Sequence, residues 1–181
     1  MSDIYTESDD SYLMYHFLLK KIPELVRKKP SLVVLEVGSG SGIQLKALLK
    51  SGIKKQNIFS CDINKKAVEH CKNLGFNFIK SDLFENIQDK FDLIIFNAPY
   101  LPEDKKEPEI SKISTTGGKK GSEIINKFLK QATNYLTDNG KIFLLTSSLT
   151  KKINWLNYKK KIVTEKSLFF EKLFIWEVTK S

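Results

Sequence analysis

The chain predicts an α/β protein, a mostly parallel sheet with helices on both faces and an antiparallel edge. Three observations carry the prediction. Short apolar runs alternate with segments of helical spacing over most of the chain. Two of the runs, 32–37 and 91–96, are apolar on both faces, as strands between two helix layers must be. The last two patterned segments, 162–168 and 172–179, read as an antiparallel pair that ends the sheet.

In chain order, 11–28 has helical spacing, with Leu13, Phe17, Leu18, Ile22 and Leu25 on one side. Pro23 is expected to kink or restart that helix. The run 32–37 is the first strand, followed by Gly38-Ser39-Gly40-Ser41-Gly42 and a helix to Lys50. A short strand over 58–61 leads to a helix over 64–74 capped by Asn64. Next come strand-like 76–79 and the apolar strand 91–96. The polar stretch 99–120 holds three of the five prolines and reads as a surface loop. A helix over 122–136, a turn at Asp138-Asn139-Gly140 and a strand over 141–146 complete the alternation.

With 181 residues and 41% hydrophobic content, the whole chain is expected to form a single domain, 1–30 being a helical N-terminal lead-in. The apolar runs are too short to span a bilayer, and residues 1–10 lack the pattern of a signal peptide. The expected location is the cytoplasm, with the nucleus also open. Two cysteines and two histidines give neither a disulfide framework nor a metal-ligand spacing, so no metal site is expected and the cysteines read as small buried residues. The net charge of +9 suits an acidic partner such as nucleic acid. All but one of the basic residues are lysine, spread along the chain, so a generally solvated surface explains the charge equally well.

The glycine turn at 38–42 lies at the first strand-to-helix connection, where a backbone without side chains admits a ligand. A dinucleotide fingerprint would need glycine at 43, which is Ile43. The pattern is G-x-G-x-G, preceded by Glu36. Asp62 follows the second strand, where a carboxylate can accept from both hydroxyls of a ribose. Asp82 follows the third, placed to accept from an adenine amino group, with Leu83 offering an N–H and an apolar wall. Asp62 alone could be a helix cap and Asp82 a turn residue, but three acids at successive strand ends point to a ligand site. On these residues the chain resembles the Rossmann-like class I S-adenosylmethionine-dependent methyltransferases, whose sheet has seven strands. The resemblance implies that Gly38 and Gly40 admit the methionine moiety and Glu36 anchors its amino end. It also implies that Asp62 holds the ribose, that Asp82 and Leu83 frame the adenine, and that S-adenosylhomocysteine is the product.

Asn97-Ala98-Pro99-Tyr100 follows the fourth strand, beyond the carboxyl end where catalytic groups collect in open α/β sheets. An amide or exocyclic amino nitrogen is a poor nucleophile, because its lone pair is delocalised. The Asn97 side-chain oxygen and the Ala98 carbonyl can each accept one N–H of such a group, aiming it and stabilising the charge that develops. Tyr100 offers an aromatic surface for a planar acceptor. The quartet resembles the N-P-P-Y motif of amino methyltransferases, with Ala98 in place of the first proline, and also places Asn97 at the cofactor.

Three further stretches, the last of them the ending 173–181, resemble the HemK-like protein-glutamine methyltransferases, in their short eukaryotic and archaeal branch. Residues 5–13, Tyr5-Thr6-Glu7-Ser8-Asp9-Asp10-Ser11-Tyr12-Leu13, match that branch's N-terminal pattern except at Glu7, where proline is usual. Thr116-Gly117-Gly118-Lys119-Lys120-Gly121 matches its glycine-rich segment. The resemblance implies that Ser11 contacts the cofactor. It further implies that the substrate is the glutamine of a Gly-Gly-Gln loop in a class-1 release factor, and that a small zinc-binding activator completes a heterodimer. That activator is expected along the 76–79 strand. The connection 82–91 is too short for a crossover helix, which leaves Phe76, Phe78 and Ile79 poorly covered at a sheet edge. Two alternatives stand beside this: an adenine or guanine amino methyltransferase of nucleic acid, and a non-catalytic subunit that keeps the fold.

Overall fold

The computed structural model describes residues 7–104, 106, 107, 112 and 114–181. Tyr5 and Thr6 of the N-terminal pattern lie outside them. The elements are α1 (Asp9–Lys28), β1 (Val34–Val37), α2 (Ile43–Lys50), β2 (Ile58–Asp62), α3 (Lys65–Asn73), β3 (Asn77–Lys80), β4 (Phe91–Asn97), α4 (Glu123–Ala132), β5 (Leu136–Ser147), β6 (Tyr158–Ser167) and β7 (Lys172–Lys180). The sheet has seven strands in the order β3-β2-β1-β4-β5-β7-β6. Strands β1 to β5 pair in parallel, and β7 and β6 form the antiparallel edge.

Strand β4 shows why the helices cover both faces. Its residues from Phe91 to Phe96 are all buried, so both of its faces need cover. Phe17 of α1 packs edge-on against Phe143, ring centroids 4.8 Å apart, while Phe128 of α4 meets Phe96 at 4.6 Å. Phe96 pairs with Leu144, the strand neighbour of Phe143, so the two helices lie on opposite faces. Asn64 caps α3 as expected, its side chain accepting from the Lys66 N–H. Both cysteines are buried free thiols; burial above all holds Cys61 up at about 12 and Cys71 at about 11, so both stay protonated.

Four expectations are corrected. Pro23 does not restart α1, which runs unbroken because buried Leu18, Ile22 and Leu25 hold it to the core on either side of the missing N–H. Asp138-Asn139-Gly140 does not separate two elements. It is an irregularity inside β5, where pairing jumps from Phe91–Leu136 to Leu93–Lys141. The stretch 99–120 is not wholly irregular, since Lys112, Ser114 and Thr115 are helical and Thr116 bridges Leu101. Phe76 is buried, 9% exposed, with the Lys55 ammonium 5.1 Å from its ring centroid. Of the apolar side chains expected to be bare near β3, Phe78 and Ile79 are half-buried. No helix among the described residues is long and apolar enough to cross a membrane.

Candidate active site

The strand order reverses between β1 and β4, and in open α/β sheets the crevice beyond the carboxyl ends at such a point is where ligands bind. Glu36 lies in β1 opposite Ser60 of β2 and Ile95 of β4, and is 2% exposed. Its Oε2 is buried without a partner among the described residues. Burial first, and the charge of Asp62 second, push its carboxyl well above the ordinary range. Asp62 ends β2 and secures the glycine turn, accepting from the Gly40 N–H at 3.0 Å and the Asn64 N–H at 2.8 Å. Burial raises its pKa, and those N–H groups offset part of the rise. Gly38 has φ +69° and an exposed backbone, which leaves the turn open to a ligand.

Asp82 follows β3 and is held by Lys127 of α4 at 2.7 Å. Leu83 beside it is buried at φ +51°, and its carbonyl accepts from the Cys61 thiol at 3.4 Å. Ser11 is buried, its hydroxyl 3.3 Å from Asp10 Oδ1.

Asn97 ends β4, and the three residues after it are fixed by the glycine-rich segment. Gly117 donates to the Leu101 carbonyl at 2.9 Å. A Cβ on Gly117 would lie 2.5 Å from the Pro99 carbonyl oxygen, and one on Gly121 would lie 2.3 Å from that of Tyr100. Only glycine lets these backbones approach so closely. Thr150 Oγ1 donates to the Tyr100 carbonyl at 3.0 Å, and Ala98 is buried. The Tyr100 ring is 9% exposed, with its hydroxyl 3.5 Å from Asp10.

Two further site residues are given no role by the sequence reading. Asp10 reads as an ordinary acid in a first helical turn, although it stands in the N-terminal pattern. It is 5% exposed and gathers the Ser8 hydroxyl, the Ser11 N–H and the Asn97 amide, the last at 3.2 Å. Gln44 of α2 donates to the Ser11 carbonyl at 3.0 Å, and its Oε1 is buried without a partner among the described residues. These links bind the start of α1 across the crevice.

The crevice is thus walled by acceptors. Glu36 Oε2, Gln44 Oε1 and Asn97 Oδ1 are buried and unsatisfied among the described residues, and Asp10 and Asp62 add carboxylates. Such a set fits a ligand that carries N–H donors and positive charge, as the ammonium and sulfonium of S-adenosylmethionine do, and disfavours one entering phosphate first.

A family model, the methyltransferase small domain, matches residues 15–166. A Methanocaldococcus jannaschii chain provisionally named a protein N5-glutamine methyltransferase is 37% identical, covering 96% of this chain and 90% of its own length. Human methyltransferase HEMK2 is 30% identical over 80% of this chain and 72% of its own. The Lactococcus lactis release factor glutamine methyltransferase is 29% identical over 78% of this chain, which spans 58% of that longer enzyme. Among solved structures, the E. cuniculi Mtq2–Trm112 complex, responsible for methylating the termination factor eRF1, superimposes with a TM-score of 0.72. The match covers 99% of this chain and 100% of that one at 24% identity, a likeness of fold. The chain therefore belongs to the methyltransferase small domain family, as a HemK-like, S-adenosylmethionine-dependent enzyme of the protein-glutamine N5-methyltransferase type.

Proposed function

We propose that this chain is the catalytic subunit that methylates the side-chain amide of the glutamine in the Gly-Gly-Gln loop of a class-1 release factor. The observation that supports it best is the Asn97 amide. Its nitrogen is engaged by Asp10, and its buried oxygen has no partner among the described residues, so an acceptor waits for a planar NH₂. The bound cofactor supplies an electrophilic methyl on a sulfonium, so no base has to act before attack. In this reading Asn97 Oδ1 and the Ala98 carbonyl take the two N–H groups and fix the nitrogen in line with the methyl. With the cofactor bound, a C–N bond would form as its S–C bond broke, the electron pair staying on sulfur and the surplus proton leaving the nitrogen for solvent. Pro99 stiffens the turn and Tyr100 walls the amide. Glu36 and Gln44 receive the ammonium end of the cofactor, with Gly38 and Gly40 giving it room and Ser11 beside it. Asp62 takes the ribose hydroxyls, and Asp82 with Leu83 takes the adenine.

A small zinc-binding activator is proposed at the β3 edge. The two edges of the sheet differ in a way that favours it. β6 carries three consecutive exposed lysines, Lys159, Lys160 and Lys161, charges that deter strand addition, whereas β3 has one, Lys80, after Asn77, Phe78 and Ile79. The deciding experiment offers labelled cofactor, with the activator present, to a release factor, tRNA, rRNA and DNA in parallel. Label in the factor is expected. Label confined to nucleic acid would replace this reading with that of a base amino methyltransferase, which +9 would suit.

A further inference from the structure

Phe169 and Phe170 are 93% and 84% exposed, the most exposed of the large apolar side chains among the described residues, and they stand side by side in the turn between β6 and β7. Adjacent bare phenylalanines on a fixed turn mark an interaction surface more often than chance exposure. The turn is fixed. The Leu168 N–H bonds the Glu171 carbonyl at 2.8 Å, and the Glu171 carboxylate takes the Ser147 hydroxyl. The Ser148 N–H bonds the Lys172 carbonyl at 2.8 Å. The rings meet edge to face, centroids 4.6 Å apart, and form one apolar knob.

Its place in the fold gives it meaning. Ser147 at the carboxyl end of β5 pairs with Leu173 at the start of β7, and Asn97 pairs with Leu145. The turn therefore rises from the same end of the sheet as the candidate active site. Lys166, just before it, bonds Asp9 at 2.6 Å, and Asp9 adjoins the Asp10 that holds Asn97. The knob stands at the site's end of the sheet, beyond β5 and on the side away from β3.

We infer that Phe169 and Phe170 dock the macromolecular substrate, by entering an apolar pocket on the protein that carries the acceptor amide. This rests on the protein-amide reading above. The charges nearby favour a protein over a nucleic acid. Lys166 is paired with Asp9, Lys172 is paired with Glu165 at 2.9 Å, and Glu171 is acidic, so the knob's immediate surroundings offer phosphates little. An adjacent aromatic pair on a hydrogen-bonded turn is a compact apolar anchor of the kind that protein interfaces are enriched in.

The test is the double variant Phe169→Ser/Phe170→Ser, made with the activator present and checked for unchanged cofactor affinity, which both exposed positions should preserve. Steady-state methylation of the intact release factor is compared with that of a short peptide bearing the loop glutamine. The expected result is a KM for the intact factor raised roughly tenfold or more, with kcat and peptide turnover unchanged. An unchanged KM for the factor, or a loss shared equally with the peptide, would overturn the docking role. So would a variant that differs only in self-association. A wild-type enzyme that labels nucleic acid and leaves the factor untouched would refute the protein-amide reading and this inference with it. A labelled factor with an indifferent variant sinks the inference alone.

Discussion

Asp10 accepts from the Asn97 amide nitrogen at 3.2 Å, across 87 residues of sequence, and so dictates which way the Asn97 amide faces. A carboxylate can only accept, so the NH₂ must point to it and Oδ1 must point away. That oxygen is buried with no partner among the described residues, at a cost of about 1–3 kcal/mol that a substrate N–H would offset.

Asp10→Asn removes this constraint, because its own amide can face Asn97 either way round. Turnover should fall roughly a hundredfold, the scale for a misplaced reacting group, while cofactor affinity stays within about threefold. Single-turnover rates alongside calorimetry would show the split. Equal losses in both would mean that Asp10 merely supports the fold.

Asn97→Ala should remove most methyl transfer and leave cofactor affinity largely intact, whereas Ala98→Pro should be tolerated, because the carbonyl at 98 is retained. Near-normal turnover by the Asn97 variant would contradict a mechanism in which Oδ1 aims the reacting nitrogen.

Glu36 should make cofactor binding depend on pH. Burial and Asp62 hold its carboxyl above the ordinary value of 4.5, so in the window between 4.5 and the raised value the ligand-free protein holds a proton there that the cofactor's ammonium would displace. Affinity should therefore rise with pH and level off once Glu36 is ionised in the free protein. Glu36→Gln should flatten the profile. In the free protein the sign is opposite, Glu36 lowering stability as pH climbs from 4.5 through its raised value. Calorimetry in buffers of different ionisation enthalpy should detect proton release on binding, and none would argue against this role.

Asp92 belongs to the fold instead. Burial pushes its carboxyl up, but Lys29 at 2.7 Å, the Val33 N–H at 3.1 Å and the Thr137 hydroxyl at 2.9 Å outweigh burial and bring it below 3.8. Its contribution is present above pH 3.8 and lost as pH falls through the lowered value. Asp92→Ala should cost about 1–3 kcal/mol by denaturant unfolding, with kcat unaltered.

If the proposed activator adds to β3, Phe78→Glu should abolish co-purification with it and any gain in solubility on co-expression, because it sets a charge on that strand. Lys160→Glu on β6 should do neither. Activator binding that survives Phe78→Glu would move the interface elsewhere.

The features legible in sequence were those set by local chemistry. The glycine turn, the placing of Asp62 and Asp82 just after apolar runs, and the Asn64 cap are each marked by a residue type at a fixed offset from its own strand or helix. Asp10, Gln44 and the Lys127–Asp82 pair were not legible, because each acts across 33 to 87 residues and only the folded chain joins them. That α1 continues past Pro23 without a restart has a related cause, since tertiary burial of Leu18 and Ile22 outweighs the local cost of proline. The covered Phe76 is similar, its shield being Lys55 from the connection before β2.

Mapping the methylated atom decides whether Asn97 presents a protein amide to the cofactor. Wild-type enzyme and the Asn97→Ala variant, each with the activator, would receive one equivalent of intact release factor and excess S-adenosylmethionine, and the factor's peptides would be sequenced by mass spectrometry. One methyl on the side-chain nitrogen of the Gly-Gly-Gln glutamine is expected with the wild type, and essentially none with the variant. A methyl on any other atom of the factor, or the same glutamine modified equally by both enzymes, would show that Asn97 does not play this part.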